Sequence, residues 1–353
     1  MLFINSLTDD EVLNSYNFAR KSDFVYSEII SNLNFKNIDK TNLKIIYQDK
    51  DKVFYICKKF ELTDNQVIFC NNYLLDSLFE ALKTAKELKN LKLITHQTDL
   101  SITRKIFSKK PESISKWYSI NVDYKHPDLV PIPIGLSNEY SPKNIFKSSY
   151  EKINYIELDQ KVDKIYMNFQ KNTKFFSRSY LEKKLKNHRK VVYEQPNLNT
   201  ADYLNKVSNY KFTVCPRGNG LDTHRIWETM YAGSIPVVEK LLTNEFCSDL
   251  PVIRYENLNK LNNYLSILEN AKIPEESFGH EKLTMSFWIN QIRKIHKEVP
   301  PNIKNKYEVE LSPEKIDQII KEYNNTLKFE NNVKKIKTFF RKVYQKILDL
   351  LFD

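Results

Sequence analysis

Arg217, His224, Arg225 and Glu228 crowd into one run, Phe212-Thr-Val-Cys-Pro-Arg-Gly-Asn-Gly-Leu-Asp-Thr-His-Arg-Ile-Trp-Glu-Thr-Met-Tyr-Ala-Gly-Ser-Ile-Pro-Val-Val238. Two arginines suit an anion: guanidinium groups make charge-assisted, bidentate contacts to phosphate oxygens. Glu228, three residues after Arg225, falls on nearly the same helix face. A carboxylate there would repel phosphate, but it can accept hydrogen bonds from the vicinal hydroxyls of a ribose. Arginine for a diphosphate beside glutamate for a pentose is the logic of a nucleotide-sugar site. The alternative reading of the same spacing is a surface Arg225–Glu228 ion pair worth a few tenths of a kcal/mol.

The elements around these residues follow from pattern. Phe212 to Cys215 is a short apolar run that predicts a buried strand. The chain has 5 glycines, and Gly218, Gly220 and Gly233 lie in this stretch. Lacking Cβ atoms, Gly218 and Gly220 are expected to take positive φ and let a ligand approach the backbone. Asp222 or Thr223 offers a helix N-cap, and Ile226, Trp227, Met230 and Tyr231 mark one helix face. The free N–H groups at that helix start favour a phosphate. Gly233 stands where a C-cap belongs, and Ile235 to Val238 predicts the next strand.

The segment Cys215 to Glu228 resembles the signature of exostosin-like glycosyltransferases, the family 47 group and its relatives. Three weaker echoes accompany it. Ile94-Thr-His-Gln-Thr-Asp99 resembles the family's strand-end segment in the first domain, and Val130-Pro-Ile-Pro-Ile-Gly-Leu136 its segment near the domain crossover. Met167-Asn-Phe169 followed by Arg178 resembles the start of its nucleotide domain. Together they span residues 65 to 240 or so. The resemblance implies a GT-B-like α/β fold, with two Rossmann-like domains facing a cleft, and inverting transfer from a nucleotide sugar with no obligatory metal. It implies donor contacts from Asn168, Arg178, Arg217, Gly218, Asn219, Gly220, Asp222, His224, Arg225 and Glu228. A loop-capping role is the alternative for Asn168.

Inverting transfer also needs a base for the acceptor hydroxyl, which in a two-domain arrangement comes from the first domain. His96 and Asp99 follow a predicted strand. Histidine titrates near neutrality and can take the proton; Asp99 is either the base itself or the group that orients His96. His96 as a loop-bonding residue is the structural alternative. His224 is a further base candidate, but its place beside Arg225 fits donor contact better, and Asp123 and His126 are placed to line the acceptor side. No cofactor is expected beyond the nucleotide-sugar co-substrate, taken to carry uridine diphosphate (UDP). No metal site is read: Asp49-Lys-Asp51 lies in a charged turn, and His188, His280 and His296 stand apart from any cysteine pair.

At 353 residues the chain calls for two domains. Strand-like Leu43–Tyr47, Val53–Cys57, Gln66–Cys70 and Leu91–Thr95, with a helix over Asp76–Leu88, predict a mainly parallel sheet. Pro127, Pro131, Pro133 and Gly135, then the polar stretch from Tyr140 to Asp163, mark the crossover. The expected division is an acceptor-side domain over 1–145, a nucleotide-sugar domain over 146–300 and a helical extension over 301–353. A strand over Lys164–Phe169, a helix over Ser179–Asn187, a strand over Lys190–Tyr193 and a helix from Asp202 to Ser208 precede the signature.

A hydrophobic share of 41% supports packed cores, and the net charge of +11 favours anionic partners. The 4 cysteines have no metal-ligand or disulfide-framework spacing. The first ten residues lack the features of a signal peptide, and no apolar window reaches membrane-span length, so a cytoplasmic bacterial or virus-encoded enzyme is expected. Near the C-terminus Val333, Ile336, Phe340, Val343, Ile347 and Leu350 form a helical stripe flanked by lysines. Such a helix either docks on the first domain or touches an anionic membrane; nucleic acid is not expected as a partner. The expected acceptor is a glycan or glycoconjugate. A non-catalytic nucleotide-sugar or glycan binding protein on the same fold is the alternative function.

Overall fold

Alternation of side chains sorts the strands into two sheets that share one packed layer. The computed structural model describes residues 4–141, 145–256, 280–294 and 305–352. In the first part of the chain the strands are β1 (Phe24–Ser31), β2 (Leu43–Gln48), β3 (Lys52–Cys57), β4 (Lys59–Thr63), β5 (Val67–Asn71), β6 (Leu91–His96), β7 (Ile114–Ser119) and β8 (Leu129–Pro131). All but β4 form one sheet in the order β2-β3-β1-β5-β6-β7-β8. The run from β1 to β8 is parallel, as expected, while β3 is antiparallel to both β1 and β2. Helices α1 (Ser15–Arg20), α2 (Asn32–Lys36), α3 (Leu75–Lys83) and α4 (Arg104–Phe107) flank it.

The strand expected over Gln66–Cys70 and the helix over Asp76–Leu88 are present, the helix ending at Lys83. Strand β1 escapes a reading by pattern because Ser27, Glu28 and Ser31 interrupt its apolar run. All three are buried. Glu28 is tolerated there because Arg20 pairs with it and the Tyr55 hydroxyl donates to it at 2.8 Å. Burial still dominates, and its carboxyl is pushed up to about 7.

After helix α5 (Lys147–Tyr150) the second sheet begins, with β9 (Val162–Met167), α6 (Phe175–Leu185), β10 (Val191–Tyr193), α7 (Thr200–Asn209), β11 (Tyr210–Val214), α8 (His224–Tyr231), β12 (Ile235–Glu239) and β13 (Ile253–Tyr255). Its order is β10-β9-β11-β12-β13, parallel throughout. Numbered within the sheet this is 2-1-3-4-5, the doubly wound order whose strand sequence reverses direction between β9 and β11. Both halves are thus mixed α/β units compatible with the Rossmann-like character expected of them.

Adjacent residues of a strand face opposite layers, and the cores record it. Leu93, Ile68 and Trp117 pack outward with Leu78 and Phe79 of α3, whereas Ile94, Phe69 and Tyr118 face the interior. In the second sheet Met167, Val214 and Val237 face α6, while Tyr166, Cys215 and Val238 join the interior cluster with Ile94. Between the sheets lie Ile226, Trp227, Met230 and Tyr231 of α8, together with Ile132, Ile134 and residues of α9 (Met285–Lys294). Around α8, therefore, the space between the halves is a filled apolar core. The four cysteines are all free and buried.

The chain end returns to the first sheet. Strand β14 (Lys306–Glu310) pairs antiparallel with β4, and α10 (Pro313–Phe352) follows. Ile319 and Tyr323 bury against the first sheet's outer cluster, and the Tyr323 ring meets Phe54 at 4.8 Å and Tyr73 at 5.4 Å. Docking on the first half is thus made by the start of α10. Of the apolar stripe expected further along, Ile336 is 54% exposed, and the side chains of Phe340, Val343, Ile347 and Leu350 lie outside the described residues. Among the described residues no helix is long and apolar enough to cross a membrane.

One glycine secures the crossover. Gly135 has φ +66°, and a Cβ there would stand 2.1 Å from the Leu13 carbonyl oxygen. The Leu136 N–H bonds that same oxygen at 2.7 Å, so the two strands of chain cannot separate cheaply. Gly135→Ala is expected to lower the unfolding free energy by about 3 kcal/mol, through strain and overpacking together. Urea denaturation checks this; a loss under about 1 kcal/mol would show that the crossover relaxes freely.

Candidate active site

The signature loop between β11 and α8 has few regular partners for its backbone, so side chains supply them. Arg178, buried on α6, donates to the carbonyls of Arg217 (3.1 Å), Gln170 (2.6 Å) and Pro216 (3.0 Å). From the first half, Asn121 accepts the N–H groups of Leu221 (2.7 Å) and Asp222 (2.9 Å) through Oδ1 and donates to the Thr98 carbonyl at 3.0 Å. Asn121 holds a left-handed backbone, φ 56°, to make this reach. Asp222 returns the contact: its carboxylate accepts the N–H of Ile134 (2.9 Å) and of Thr223 (2.7 Å), and the Trp227 indole at 3.3 Å. Burial pushes its carboxyl up to about 6 despite those donors.

This geometry corrects the reading of the glycines. Neither Gly218 nor Gly220 has positive φ; Gly135 and Gly233 do. Gly220 is small because Asn121 presses on it, its Oδ1 lying 2.9 Å from where a Cβ would be. At Gly218 a Cβ would meet nothing closer than 3.8 Å. Gly233 takes the left-handed conformation expected after a helix end. Thr223 occupies the N-cap position of α8 with no side-chain cap bond.

Arg225 and Glu228 line a cleft of about 390 Å³ with Asn168, Gln170, Asn199 and Tyr203. Asn168 follows β9, Asn199 follows β10 and Arg225 follows β11, so the cleft opens at the carboxyl ends of the strands, where the order reverses. That is where open α/β sheets bind ligands. Arg225 donates to the Asn168 carbonyl and lies 5.1 Å from the Tyr203 ring centroid. Glu228 is buried, and the Tyr203 hydroxyl donates to it at 3.3 Å. These two residues are therefore cleft walls rather than an ion pair on an open surface. The Asn168 side chain donates to the Gln195 carbonyl at 3.1 Å, which gives it the loop-bonding role as well.

The remaining expected residues divide. Arg178 braces the loop instead of standing open to a phosphate; burial and the Arg225 charge lower its guanidinium to about 10. Arg217 turns to Glu239 at the end of β12, 3.4 Å away, and Asn219 is exposed. Asp222 ties the halves together. Asp123 and His126 line neither described cavity; the His126 ring packs on Phe107 at 4.5 Å. Pattern reasoning missed Asn121, Gln170, Asn199 and Tyr203. Only Asn199 carried a signal, as the N-cap of α7 whose side chain accepts the Asp202 N–H at 2.9 Å.

The base candidates also separate. His96 ends β6 and is buried. Its Nδ1 accepts the Gln97 N–H at 2.8 Å, so the expected orientation by Asp99 is not what holds the ring; Asp99 is exposed beyond the strand. The carbonyls of Pro133 and Ile134 favour a proton on the ring, but Nε2 has no well-aligned hydrogen-bond partner. Burial, then the neighbouring His224 charge, push its pKa down to about 3. His224 opens α8, half-buried, with Nδ1 2.8 Å from the Gly135 carbonyl. A carbonyl only accepts, so Nδ1 carries the hydrogen, and in the neutral ring Nε2 keeps its lone pair.

The family model of the RXYLT1 C-terminal domain matches residues 162–274, about a third of the chain. This is a glycosyltransferase domain related to the exostosin family. No curated protein matches the chain. The match begins at β9 and takes in the strands, loop and helix that build the cleft. A glycosyltransferase kinship thus rests on the same segment that carries Asn168, Arg225 and Glu228.

His96 makes the site acid-sensitive in a defined direction. Its pKa is about 3 in the fold against an ordinary value of 6.5, so between those limits the unfolded chain binds the proton and the fold does not. Its contribution is fully present above pH 6.5 and is lost as pH falls toward 3. Asp222, raised to about 6, acts oppositely, losing stability as pH rises through that value. His96→Gln leaves Asp222 in place, so its denaturation midpoint should fall less than that of the unaltered chain on acidification through this window. An unchanged acid limb would contradict a neutral, buried ring.

Proposed function

We propose that the protein is an inverting glycosyltransferase of exostosin-like type, moving a sugar from a UDP-sugar to the hydroxyl of a glycan acceptor on a GT-B-like fold. The observation that carries the reading is the convergence of Arg225 and Glu228 on one cleft at the strand-order reversal of the second sheet. Arg225, fixed by the Asn168 carbonyl and the Tyr203 ring, presents its positive charge to the diphosphate. Glu228, held by Tyr203, accepts the ribose hydroxyls. Charge that grows on the departing diphosphate is met by a guanidinium already in place, the electrostatic contribution that weighs most in such reactions. The chemistry asks for no bound metal, since Arg225 supplies positive potential at the cleft. Residues 1–145, 146–300 and 301–353 form the acceptor-side, donor-side and extension parts.

We take His224 as the base: it lines neither described cavity, but it opens α8 beside Arg225 with its ring held by the Gly135 carbonyl of the crossover. Its Nδ1–H points to the Gly135 carbonyl, which leaves Nε2 to accept the acceptor proton, whereas His96 is buried and held neutral to low pH. The second reading, a nucleotide-sugar binding protein without turnover, draws support from the separation of His96 and Asp99. Turnover separates the two.

UDP at a hundred times its dissociation constant should stabilise the chain by about 2.7 kcal/mol, visible as a rise in melting temperature. Arg225→Ala and Glu228→Ala should abolish that rise. Absence of any rise with UDP or other nucleoside diphosphates would sink the donor assignment. With a turned-over UDP-sugar in hand, His224→Ala should keep the UDP response and lower kcat by roughly 10²–10⁴. Retention of full turnover would move the base elsewhere, and UDP binding without turnover of any sugar donor would favour the binding protein.

A further inference from the structure

A larger cavity, about 520 Å³, lies on the first-half side of Ile145, the residue that also lines the donor cleft. It opens where β1 ends, between Ile29–Ser31, the segment Leu136–Tyr140 and the N-terminal residues around Asp9. Its volume is within the range of small-molecule sites.

The wall runs against the charge of the chain. The whole protein is +11, yet Asp9, Asp10, Glu139 and Glu151 line this cavity with Lys147 the one cation among its lining residues. Lys147 lies 3.3 Å from Asp9 and Lys21 pairs with Asp10 at 2.5 Å; these pairs offset two of the carboxylates and leave the negative charge of the wall to Glu139 and Glu151. Arg20, stacked 5.0 Å from the Tyr16 ring centroid behind the wall, is committed to buried Glu28. An anionic ligand would meet like charge here. The polar groups are also fixed in place. Ser31 and Asn34 both donate to one Glu139 oxygen, at 2.8 and 2.9 Å. Ser15 donates to Asn138, which donates in turn to the Tyr140 hydroxyl at 2.9 Å. Tyr16 and Tyr140 add aromatic surface. Oriented carboxylates and amides accept hydroxyl protons, while aromatic rings cover the apolar C–H faces of a sugar.

We propose that this cavity is the acceptor site and that it takes a neutral, hydroxyl-rich saccharide rather than an acidic glycan. The assignment of an acceptor role rests on the glycosyltransferase reading above. Its contact with the donor cleft at Ile145 would bring the acceptor hydroxyl beside the transferred sugar.

The test applies the full chain to an array of neutral oligosaccharides and their uronate- or sialate-bearing counterparts, with saturating UDP. Binding is expected to neutral saccharides, to fall at least tenfold in Glu139→Lys and in Tyr16→Ala, and to fall less in Glu139→Gln. The UDP melting response of Glu139→Lys should persist and shows that the variant is folded. Preference for acidic glycans, no neutral ligand bound, or unchanged binding in both Glu139→Lys and Tyr16→Ala would overturn the inference. A UDP response without saccharide binding removes this site and leaves the donor assignment standing. Neutral saccharide binding with no nucleotide response does the reverse: the cavity is a saccharide site, and the transferase role falls.

Discussion

Everything at the site depends on how one irregular loop satisfies its buried backbone. Between Cys215 and His224 the chain belongs to neither strand nor helix, yet much of it is buried. A buried N–H left unpaired costs about 1–3 kcal/mol, so the loop has a conformation only where partners exist. Arg178 holds its carbonyls from one side, and Asn121 holds its N–H groups from the other. Asp222 and His224 reach back to the crossover at Ile134 and Gly135. The loop is a seam between the halves, and α8 starts where that seam ends.

Helix α8 then serves two environments. Ile226, Trp227, Met230 and Tyr231 fill the layer between the sheets, while Arg225 and Glu228 face the cleft. The apolar face fixes the rotation of the helix, and that rotation fixes where the guanidinium and carboxylate stand. Tyr203 from α7 completes the arrangement by touching both. A site built this way is preorganised by the core, and its polar groups need little adjustment to meet a ligand.

The two cavities differ in chemistry. One presents Arg225 and amide groups at the carboxyl ends of parallel strands; the other presents oriented carboxylates and tyrosines at the end of β1. Ile145, in the crossover, touches both. The crossover therefore borders both cavities, although its stretch beyond Tyr140 is polar. Its position is set by Gly135 against Leu13 and by the buried Tyr150, whose hydroxyl donates to the Glu228 carbonyl at 3.3 Å.

Much of the strand and helix pattern was legible in the residues. Phe212–Cys215, Ile235–Val238 and Leu91–Thr95 are short apolar runs with clear bounds, and Gly233 ends a helix for a local reason, the left-handed conformation it adopts. That Arg225 and Glu228 share one stretch of wall was legible too, because helical spacing alone fixes them relative to each other, and both line one cleft. Local geometry could not say which groups are spent on structure. Arg178 and Asp222 look like ligand contacts in the chain, but folding assigns them to carbonyls and amides of distant segments. Asn121, Tyr203 and the Glu139 wall carried no pattern at all. Their roles come from contacts across long sequence separations, and such contacts exist only after the sheets have packed.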